Sequence, residues 1–455
     1  MAATLKVTDG TNTVNFLDST DLYLAKDGWK PKVARQNEAG DGYEDVIEII
    51  TLYWMETVDS LRALTIHTLE QLNTKAKTYW RQNKVDDWVW MEVRTTGESS
   101  SRFARVKAIE VDELDSRHFG PARTADLVVT ITREGAYSEV SPATTANTVN
   151  KSLSSVYNKQ SGTSTTLTNR VKTETTLTFE KYGVPGPVII EMEESSQQET
   201  IIIAQRYSQD ETREDTFYSH LNALDFQSTT NIVDDASAPS GKKWERTGLS
   251  GVDSETKGAF VNGMTYYTGT YLVYAVIKVS ADDIFDITIG QNTTATTLNN
   301  ALPTVVVPTT TNYQMLYCGR LSIPPGGKIP GLSSSTTWYI NMRVGWKGAG
   351  GSESFAIRNI FLVPVDYGVM LITPATIRRT VDSRLERVYS YDASNKYLQD
   401  ADIVRGKFFH MEPNVYHYLH FFCSRSDADG GVDPADTIDI NLRMVPRFLS
   451  LRGSF

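Results

Sequence analysis

The stretch that decides the fold, residues 46–133, begins with the run Val-Ile-Glu-Ile-Ile-Thr-Leu-Tyr-Trp at residues 46–54. Runs of similar β-rich character occupy residues 88–94, 104–109 and 125–133. β-Branched and aromatic residues at this density predict strands. None of these runs resembles an active site, so the stretch predicts a compact scaffold.

A helix is predicted between these strands, over residues 60–81. Apolar side chains recur along it at the helical period, and Ser60 is a candidate N-cap. The predicted apolar stripe consists of Leu61, Leu64, Leu69, Leu72, Ala76, Tyr79 and Trp80. We expect this helix to cover one face of the flanking sheet.

The length of 455 residues predicts two to four domains, since one core rarely grows so large. The formal net charge is −10 and no long basic run is present, which argues against a nucleic-acid partner. The short basic pairs Lys242–Lys243 and Arg378–Arg379 are interpreted as solvated loop charge. The two cysteines, Cys318 and Cys423, cannot form a four-thiolate metal site and are expected to be buried thiols. A disulfide between them is the alternative, and its geometry cannot be tested from sequence.

The predicted class is mainly β with one main α-helix. A β-α-β domain is predicted over residues 1–136, where Asp9-Gly10 marks a hairpin. Residues 217–371 alternate short apolar runs with Gly-, Pro- and Ser-rich loops, which is typical of a β-sandwich or jelly roll. The remaining predicted units are a polar Ser/Thr/Asn-rich arm or linker at 137–180 and a discontinuous β domain at 181–216 and 372–455. Within the latter, residues 415–448 are expected to form a closing hairpin.

No pattern for catalysis or cofactor binding is found, and we predict neither a catalytic residue, a cofactor nor a metal. His417 and His420 are three apart in a predicted strand, so their side chains point to opposite faces. The Asp-rich residues 427–433 lack the glutamate that a helix–loop–helix calcium site needs and are interpreted as a hairpin tip. No signal peptide precedes the first strand, and no apolar run reaches the length of a membrane span, so a soluble protein without direct membrane insertion is expected.

Exposed aromatic side chains on a jelly roll are candidates for stacking on sugar rings. The candidates are Trp338, Trp346, Trp244 and Tyr339. The alternative is that these side chains fill the core of the sandwich, which is what alternate aromatic positions in a sandwich strand usually do.

The order of these segments resembles structural tail proteins of long-tailed bacteriophages, and in kind the distal tail protein at the junction of tail tube and baseplate. The most specific piece is the C-terminal run Arg-Met-Val-Pro-Arg-Phe-Leu-Ser-Leu-Arg at residues 443–452. The resemblance implies that residues 1–136 are a belt-type domain that closes into a hexameric ring, and that residues 269–366 belong to a galectin-like or carbohydrate-binding jelly roll. The implied partners are other copies of the chain, a tail tube protein, a tail tip or hub protein and a host-surface glycan. The implied location is the virion, after assembly in the host cytoplasm.

Three functions remain open at this point. The first is a tail-ring subunit, either the distal tail protein or another ring or tip component, in which exposed strand edges pair with those of neighbouring copies. The second is a carbohydrate-binding host-adhesion protein that uses residues 217–371. The third is a polysaccharide-cleaving enzyme, whose paired carboxylates only a structure can identify.

Overall fold

In the computed structural model of the chain, the secondary structure consists of antiparallel strands and one helix among the described residues. The described residues are 3–17, 22–25, 27–36, 43–55, 59–82, 88–97, 101–113, 124–138, 149–156, 170–172, 185–194, 200–208, 220–223, 226–227, 229–238, 241–261, 267–308, 312–324, 338–372, 378–383, 386–391, 397–400, 405–412, 416–424, 438–444 and 447–448. The prediction of a mainly β protein with one main helix is therefore confirmed.

The N-terminal part forms a sheet with one helix across it. Its elements are β1 (Thr4–Thr8), β2 (Thr13–Asn15), β3 (Leu22–Leu24), β4 (Val46–Met55), α1 (Asp59–Gln82), β5 (Trp90–Arg94), β6 (Arg102–Glu113), β7 (Thr124–Arg133) and β8 (Tyr137–Ser138). The strand order is β2-β1-β5-β6-β7-β4-β3. The predicted helix and the predicted hairpin between β1 and β2 are both confirmed.

Helix α1 packs on this sheet through part of the predicted stripe. Leu69, Leu72 and Ala76 are buried in one core cluster with residues of β4 and β7 such as Ile50 and Val129. Leu64 was predicted for the same stripe, but it is 58% exposed. Ile66 packs against the core instead, because the buried side of a helix rotates with its 3.6-residue period. The side chains of Ser60, Leu61, Tyr79 and Trp80 lie outside the described part.

The rest of the chain adds three sheets. Residues 149–208 contain β9 (Val149–Val156), β10 (Arg170–Lys172), β11 (Gly186–Glu194) and β12 (Thr200–Ser208). Residues 220–364 contain β13 (His220–Asn222), β14 (Ile232–Asp234), β15 (Lys242–Val261), β16 (Gly269–Val279), β17 (Phe285–Asn292), β18 (Val305–Val306), β19 (Gln314–Ile323) and β20 (Trp338–Pro364). Residues 369–448 contain β21 (Val369–Ile372), β22 (Arg378–Asp382), β23 (Arg387–Tyr391), β24 (Tyr397–Asp400), β25 (Arg405–Gly406), β26 (His410–Met411), β27 (Tyr416–Ser424), β28 (Ile438–Met444) and β29 (Arg447–Phe448).

Two of these sheets share one hydrophobic core. The first has the order β10-β27-β12-β21-β25, and the second has the order β24-β23-β22-β11-β28-β9 with β26 on β11. Ile190 of β11, Ile203 of β12 and Phe421 of β27 belong to the same buried cluster. The predicted closing hairpin is wrong: β27 pairs with β12 and β28 pairs with β11 in the other sheet. Two strands that are neighbours in sequence thus lie in different layers, each satisfied by a long-range partner.

The third sheet, built from residues 220–364, has the order β14-β15-β20-β16-β19, with β13, β17 and β18 attached. The 27-residue strand β20 pairs with β17 through residues 339–346 and with β16 through residues 355–364. A large buried cluster fills the space between its two halves. This arrangement is consistent with the predicted β-sandwich or jelly roll.

Two junctions connect these parts. Strand β29 returns to pair with β8, so residues 139–446 leave and re-enter the N-terminal sheet at adjacent strands. A separate buried cluster joins Ile202, Ala204 and Phe422 to Val276 and Phe361 of the third sheet. Strand β12 is consequently covered on both faces, since Ile201 and Ile203 belong to the other core.

Strands β9 and β10, from the predicted polar arm, pair with β28 and β27. The division of the chain into domains at the predicted boundaries stays a prediction. The interpretation of the basic pairs as loop charge is wrong, because Lys242–Lys243 begin β15 and Arg378–Arg379 begin β22, where Arg379 is buried.

Candidate functional site

A buried ion pair joins two neighbouring strands of the N-terminal sheet. Glu48 of β4 and Arg133 of β7 have side chains with no exposed surface. Arg133 donates hydrogen bonds to Glu48 Oε1 from Nη2 at 2.6 Å and from Nε at 3.0 Å. Charges removed from water are tolerated only where their remaining hydrogen-bonding groups find partners.

Partners from residues 134–135 and from residues 29–32 satisfy this pair. Arg133 Nη1 donates to the carbonyl oxygens of Glu134 and Gly135, and Nη2 donates to the carbonyl oxygen of Lys32 at 3.0 Å. On the acidic side, Trp29 Nε1 donates to Glu48 Oε2 at 3.1 Å.

Tyr137 closes the network from β8. Its hydroxyl donates to Glu48 Oε1 at 3.3 Å, and the Arg133 guanidinium lies 4.0 Å from the centre of its ring. Burial is the main cause that raises the pKa of Tyr137 above its usual value. We call Trp29, Glu48, Arg133 and Tyr137 the ionic centre. It holds residues 29–32, β4, β7 and the departing strand β8 in one arrangement.

Polar contacts also fix the position of α1 on the sheet. Lys75 donates a hydrogen bond to the carboxylate of Asp9 in the β1–β2 turn. Burial raises the pKa of Asp9, but the bonds from Lys75 and from the backbone of Asn12 and Thr11 outweigh it, so the pKa is lowered. Asn73 Oδ1 accepts a hydrogen bond from the Ile109 amide at 3.0 Å, beside a register shift in β6. The helix therefore has a defined position as well as an apolar contact.

The face of the sheet away from α1 is unusually apolar. Along β4 the inward residues are buried, whereas Ile47, Ile49 and Tyr53 are 51%, 48% and 45% exposed. Tyr23 of β3 lies directly opposite Tyr53 and is 38% exposed. We call Tyr23, Ile47, Ile49 and Tyr53 the open stripe. A solvated face of an antiparallel sheet normally carries polar residues at such positions.

The strands beside the open stripe become polar with distance from it. Across the sheet, Ile49 lies opposite Thr130 of β7, which lies opposite Glu110 of β6. The next row ends at Asp112, and both acidic residues are exposed. The apolar surface is thus concentrated on one strand and bordered by negative charge.

The same strand has an open edge. Strand β3 pairs only with Leu52–Trp54 of β4, and the backbone of Thr51 bonds to Ala25 and Gly28. Along residues 46–50, no described strand pairs with β4 on the side away from β7. A short edge strand commonly protects a sheet against unwanted pairing with another chain. Here the short edge strand β3 covers only the second half of β4.

The four predicted sugar-stacking residues are not exposed. Trp244, Trp338, Trp346 and Tyr339 are each at most 8% exposed. The three tryptophans belong to the core cluster of the third sheet, where the Trp244 ring meets Phe355 edge-on at 5.0 Å. Tyr339 lies outside that cluster and packs against Phe260, which is 40% exposed. The three tryptophans are therefore core residues. They have no exposed ring face for the stacking on a sugar that was predicted for them.

The histidines of β27 are buried and belong to the sandwich of the first two sheets. His417 lies 3.0 Å from Gln205 Nε2, and its Nε2 is 2.9 Å from the carbonyl oxygen of Glu412. Burial lowers the pKa of His417 to about 4. Among the described residues, no group of three or more His, Cys, Asp or Glu is placed to hold a metal ion. The Asp-rich residues 427–433 and the side chain of Cys423 lie outside the described part, and Cys318 is a buried free thiol.

The sequence interpretation missed both the ionic centre and the open stripe. The signal for the ionic centre was Glu48, a charged residue among the apolar residues at alternate positions of β4. The signal for the second was that Ile47 and Ile49 make β4 apolar on both of its faces. Neither signal identifies the partner, because the partner lies elsewhere in the sequence.

Comparisons with known proteins give similarity at low scores. No protein-family model matches the chain, and no curated protein matches it. Among solved structures, it is similar to the SPP1 Dit protein, described as a paradigm of hub adsorption apparatus in phages infecting Gram-positive bacteria, with 8% identity, coverage of 98% of this chain and 100% of that chain, and a TM-score of 0.30. The phage p2 baseplate in its activated conformation follows with 8% identity, coverage of 78% and 98%, and a TM-score of 0.19. A structure of infectious bursal disease virus has 12% identity, coverage of 58% and 67%, and a TM-score of 0.19.

Two of these similar structures are therefore phage hub or baseplate proteins. At these TM-scores the superpositions do not establish a shared fold, and function has to be argued from the residues of this chain. Within the described part of the chain, no helix has the length and apolar character needed to cross a membrane.

Proposed function

We propose that this chain is a structural subunit of a bacteriophage tail. In this proposal it forms a ring at the junction of tail tube and tail tip, through its N-terminal sheet, and presents residues 217–371 at the periphery. The subunit acts by shape and contact, without catalysis. Other copies of the chain, a tail tube protein and a tail tip or hub protein are its proposed partners.

The open stripe is the observation that carries this proposal. Exposed apolar surface that is contiguous on one strand is typical of protein–protein contact sites. It lies on a sheet whose interior is held by a fully bonded ion pair, so the surface is presented on a rigid support. A subunit that assembles with copies of itself needs such a surface, whereas a monomeric enzyme or adhesin does not.

The architecture supports the same proposal. Strands β8 and β29 are adjacent, so the chain leaves the N-terminal sheet and returns to it at neighbouring positions. The resemblance of the segment order to distal tail proteins supports the location in the tail. A ring made from the N-terminal sheets would leave the inserted parts outside it.

The oligomeric state of the purified chain tests this proposal. We expect analytical ultracentrifugation to show an assembly of defined stoichiometry, and negative-stain electron microscopy to show closed rings, alone or with the tail tube protein added. Monomers at every concentration, with tube and hub proteins present, would contradict the proposal.

A second candidate is binding of a host-surface glycan by residues 217–371. The exposed Phe260 ring beside Tyr339 is the observation that favours it, because an exposed aromatic face suits a pyranose ring. A glycan array probed with the full chain tests this candidate. We expect reproducible binding that Phe260→Ala abolishes, while Val252→Ala, at another exposed site of the same strand, leaves it unchanged. Binding that survives Phe260→Ala would place the contact elsewhere.

A further inference from the structure

We infer that the third sheet carries a trough that binds a neutral sugar through two neighbouring hydroxyl groups, on the face that points away from its own core. This inference rests on the second candidate function, glycan binding by residues 217–371, and gives it a contact that is separate from Phe260. It does not depend on the proposed ring. The residues that line the trough are Ser254, Asp286, Arg343, Gly345 and Lys347.

The trough runs across three neighbouring strands. Gly345 of β20 lies directly opposite Asp286 of β17 on one side and Ser254 of β15 on the other. The adjacent residues Phe285 and Val344 belong to the core cluster, so this row points outward. A Cβ atom at position 345 would lie only 2.7 Å from Asp286 Oδ1, which means that the carboxylate lies over the glycine. Gly345 therefore forms the floor of the trough, and a larger residue there would displace the carboxylate.

The carboxylate of Asp286 is nine-tenths buried and incompletely bonded. Arg343 Nη2 lies 3.7 Å from its Oδ1, and Lys347 Nζ lies 3.6 Å from its Oδ2, and both distances are longer than a hydrogen bond. Among the described residues, neither Asp286 Oδ1 nor Arg343 Nε has a hydrogen-bond partner, although both atoms are buried. Leaving such groups without partners is costly. One acceptor and one donor are thus available side by side for a ligand.

The charges around the trough select the class of ligand. The Asp286 carboxylate repels an anion, and the cations Arg343 and Lys347 repel a metal ion. A hydroxyl group carries no charge and is both a donor and an acceptor, so it can donate to Asp286 Oδ1 and accept from Arg343. A sugar offers a second hydroxyl on the neighbouring carbon, which can accept from Lys347. A water molecule can replace the first hydroxyl alone, and the binding experiment distinguishes water from a sugar.

The trough is separate from the Phe260 ring. Asn341, the next outward residue of β20, donates from Nδ2 to the carbonyl oxygen of Thr294 at 3.0 Å, so the loop after β17 lies between the trough and Tyr339. Tyr339, which packs against Phe260, is six residues from Gly345 along β20, or roughly 20 Å. A single sugar ring cannot contact both places.

Binding of simple sugars to the full chain tests this inference. The probes are the methyl glycosides of glucose, galactose, mannose and N-acetylglucosamine, and the measurements are saturation-transfer NMR and calorimetric titration. We expect saturable binding of at least one of these glycosides, with the saturation signal strongest on the protons of two neighbouring hydroxyl-bearing carbons.

Two substitutions locate the bound sugar. Arg343→Gln should weaken binding about tenfold or more, because a charged hydrogen-bond donor is lost. Ser254→Trp should abolish binding, because the indole would extend over Gly345, and Ser254 is exposed, so the chain is expected to fold. The matched control is Arg320→Gln, at an exposed arginine of β19 in the same sheet, which should leave the affinity unchanged. Circular dichroism checks that every variant is folded.

The outcomes separate this inference from the candidate function on which it rests. Glycoside binding that survives both Arg343→Gln and Ser254→Trp, or that Arg320→Gln weakens equally, would overturn the trough. If Phe260→Ala abolishes that same binding, the second candidate stands with its own contact. No saturable binding of any glycoside would mean that the trough holds water only and would overturn the inference, whereas a glycan array without binding as well would overturn the second candidate too.

Discussion

The third sheet and the N-terminal sheet each carry apolar side chains on both faces, yet among the described residues only the third sheet is covered on its outward face. On the third sheet, Val276 and Phe361 point away from their own core and are buried against Ile202 and Phe422. On the N-terminal sheet, Ile49 and Tyr53 occupy the equivalent outward positions and remain about half exposed. Apolar residues on both faces of a sheet therefore do not by themselves show whether another part of the same chain covers the second face.

The third sheet and the N-terminal sheet also differ in how each is joined to the rest of the chain. The third sheet is attached through an apolar cluster, which includes a Phe361–Phe422 ring contact at 5.6 Å, and through the Arg206–Tyr271 hydrogen bond of 2.5 Å. The N-terminal sheet is attached through the pairing of β8 with β29, and no described hydrophobic cluster spans that junction. A large apolar contact holds two parts of a chain in a fixed relative orientation. The pairing of two short strands holds them less firmly.

The largest expected effect is on the covered face. Phe361→Ala removes a fully buried ring and should lower the free energy of unfolding by about 3–5 kcal/mol, because the cavity left between two sheets collapses incompletely. Urea denaturation followed by tryptophan fluorescence measures this loss. A loss below about 1 kcal/mol would mean that the two sheets are not in firm contact.

The next effect concerns the ionic centre beneath the open face. Glu48→Gln should lower the free energy of unfolding by about 3 kcal/mol, since it leaves the buried Arg133 without its counter-charge. The control is Glu110→Gln on the exposed row of the same sheet, which should change stability by less than about 0.5 kcal/mol. Equal effects of the two substitutions would contradict the assignment of Glu48 as the central anchor.

Acid should loosen the sandwich formed by the two sheets that contain β11 and β12. His417 has its pKa lowered to about 4 by burial, whereas an unfolded histidine titrates near 6.5. Between these values the unfolded chain binds more protons, so stability is complete above about pH 6.5 and is lost as the pH falls towards 4, by about 3 kcal/mol in total. Denaturation at a series of pH values checks this, and His417→Gln should flatten the curve. The exposed His67, changed to Gln, provides the control.

The smallest effect is expected on the open stripe of the isolated subunit. Ile49→Thr removes apolar surface that is already half exposed and places a good strand former there, so the change should be about 0.5 kcal/mol or less. The measurement is urea denaturation at a protein concentration below that of assembly. A loss comparable to that of Phe361→Ala would show that this face is covered within the subunit and would remove the contrast between the two sheets.

Much of the local structure was predictable from the sequence. The helix at Asp59–Gln82 and the strands β4–β7 followed from periodicity and β-branching, which act over a few residues. The error at Leu64 was one of helix rotation: the apolar period predicted the stripe, and packing decided which edge of the stripe was buried. The tryptophans of the third sheet were predicted as candidates for sugar stacking. The exposure of a side chain depends on what packs over it, and in this structure the tryptophans are core residues.

The sequence by itself determined that the chain is β-rich with one amphipathic helix, because these patterns are set by local backbone preference and by the spacing of apolar residues. Tertiary structure alone decided that β27 and β28 separate into different layers, that Glu48 meets Arg133 across 85 positions, and that β4 keeps one apolar face open. Strand pairing and the burial of a sheet face depend on residues that are far apart in the sequence. No single segment therefore predicts its own partner. The stretch at residues 46–54 contains both outcomes: its strand was predictable from the sequence, whereas only the tertiary structure shows that the described residues leave its outward apolar face uncovered.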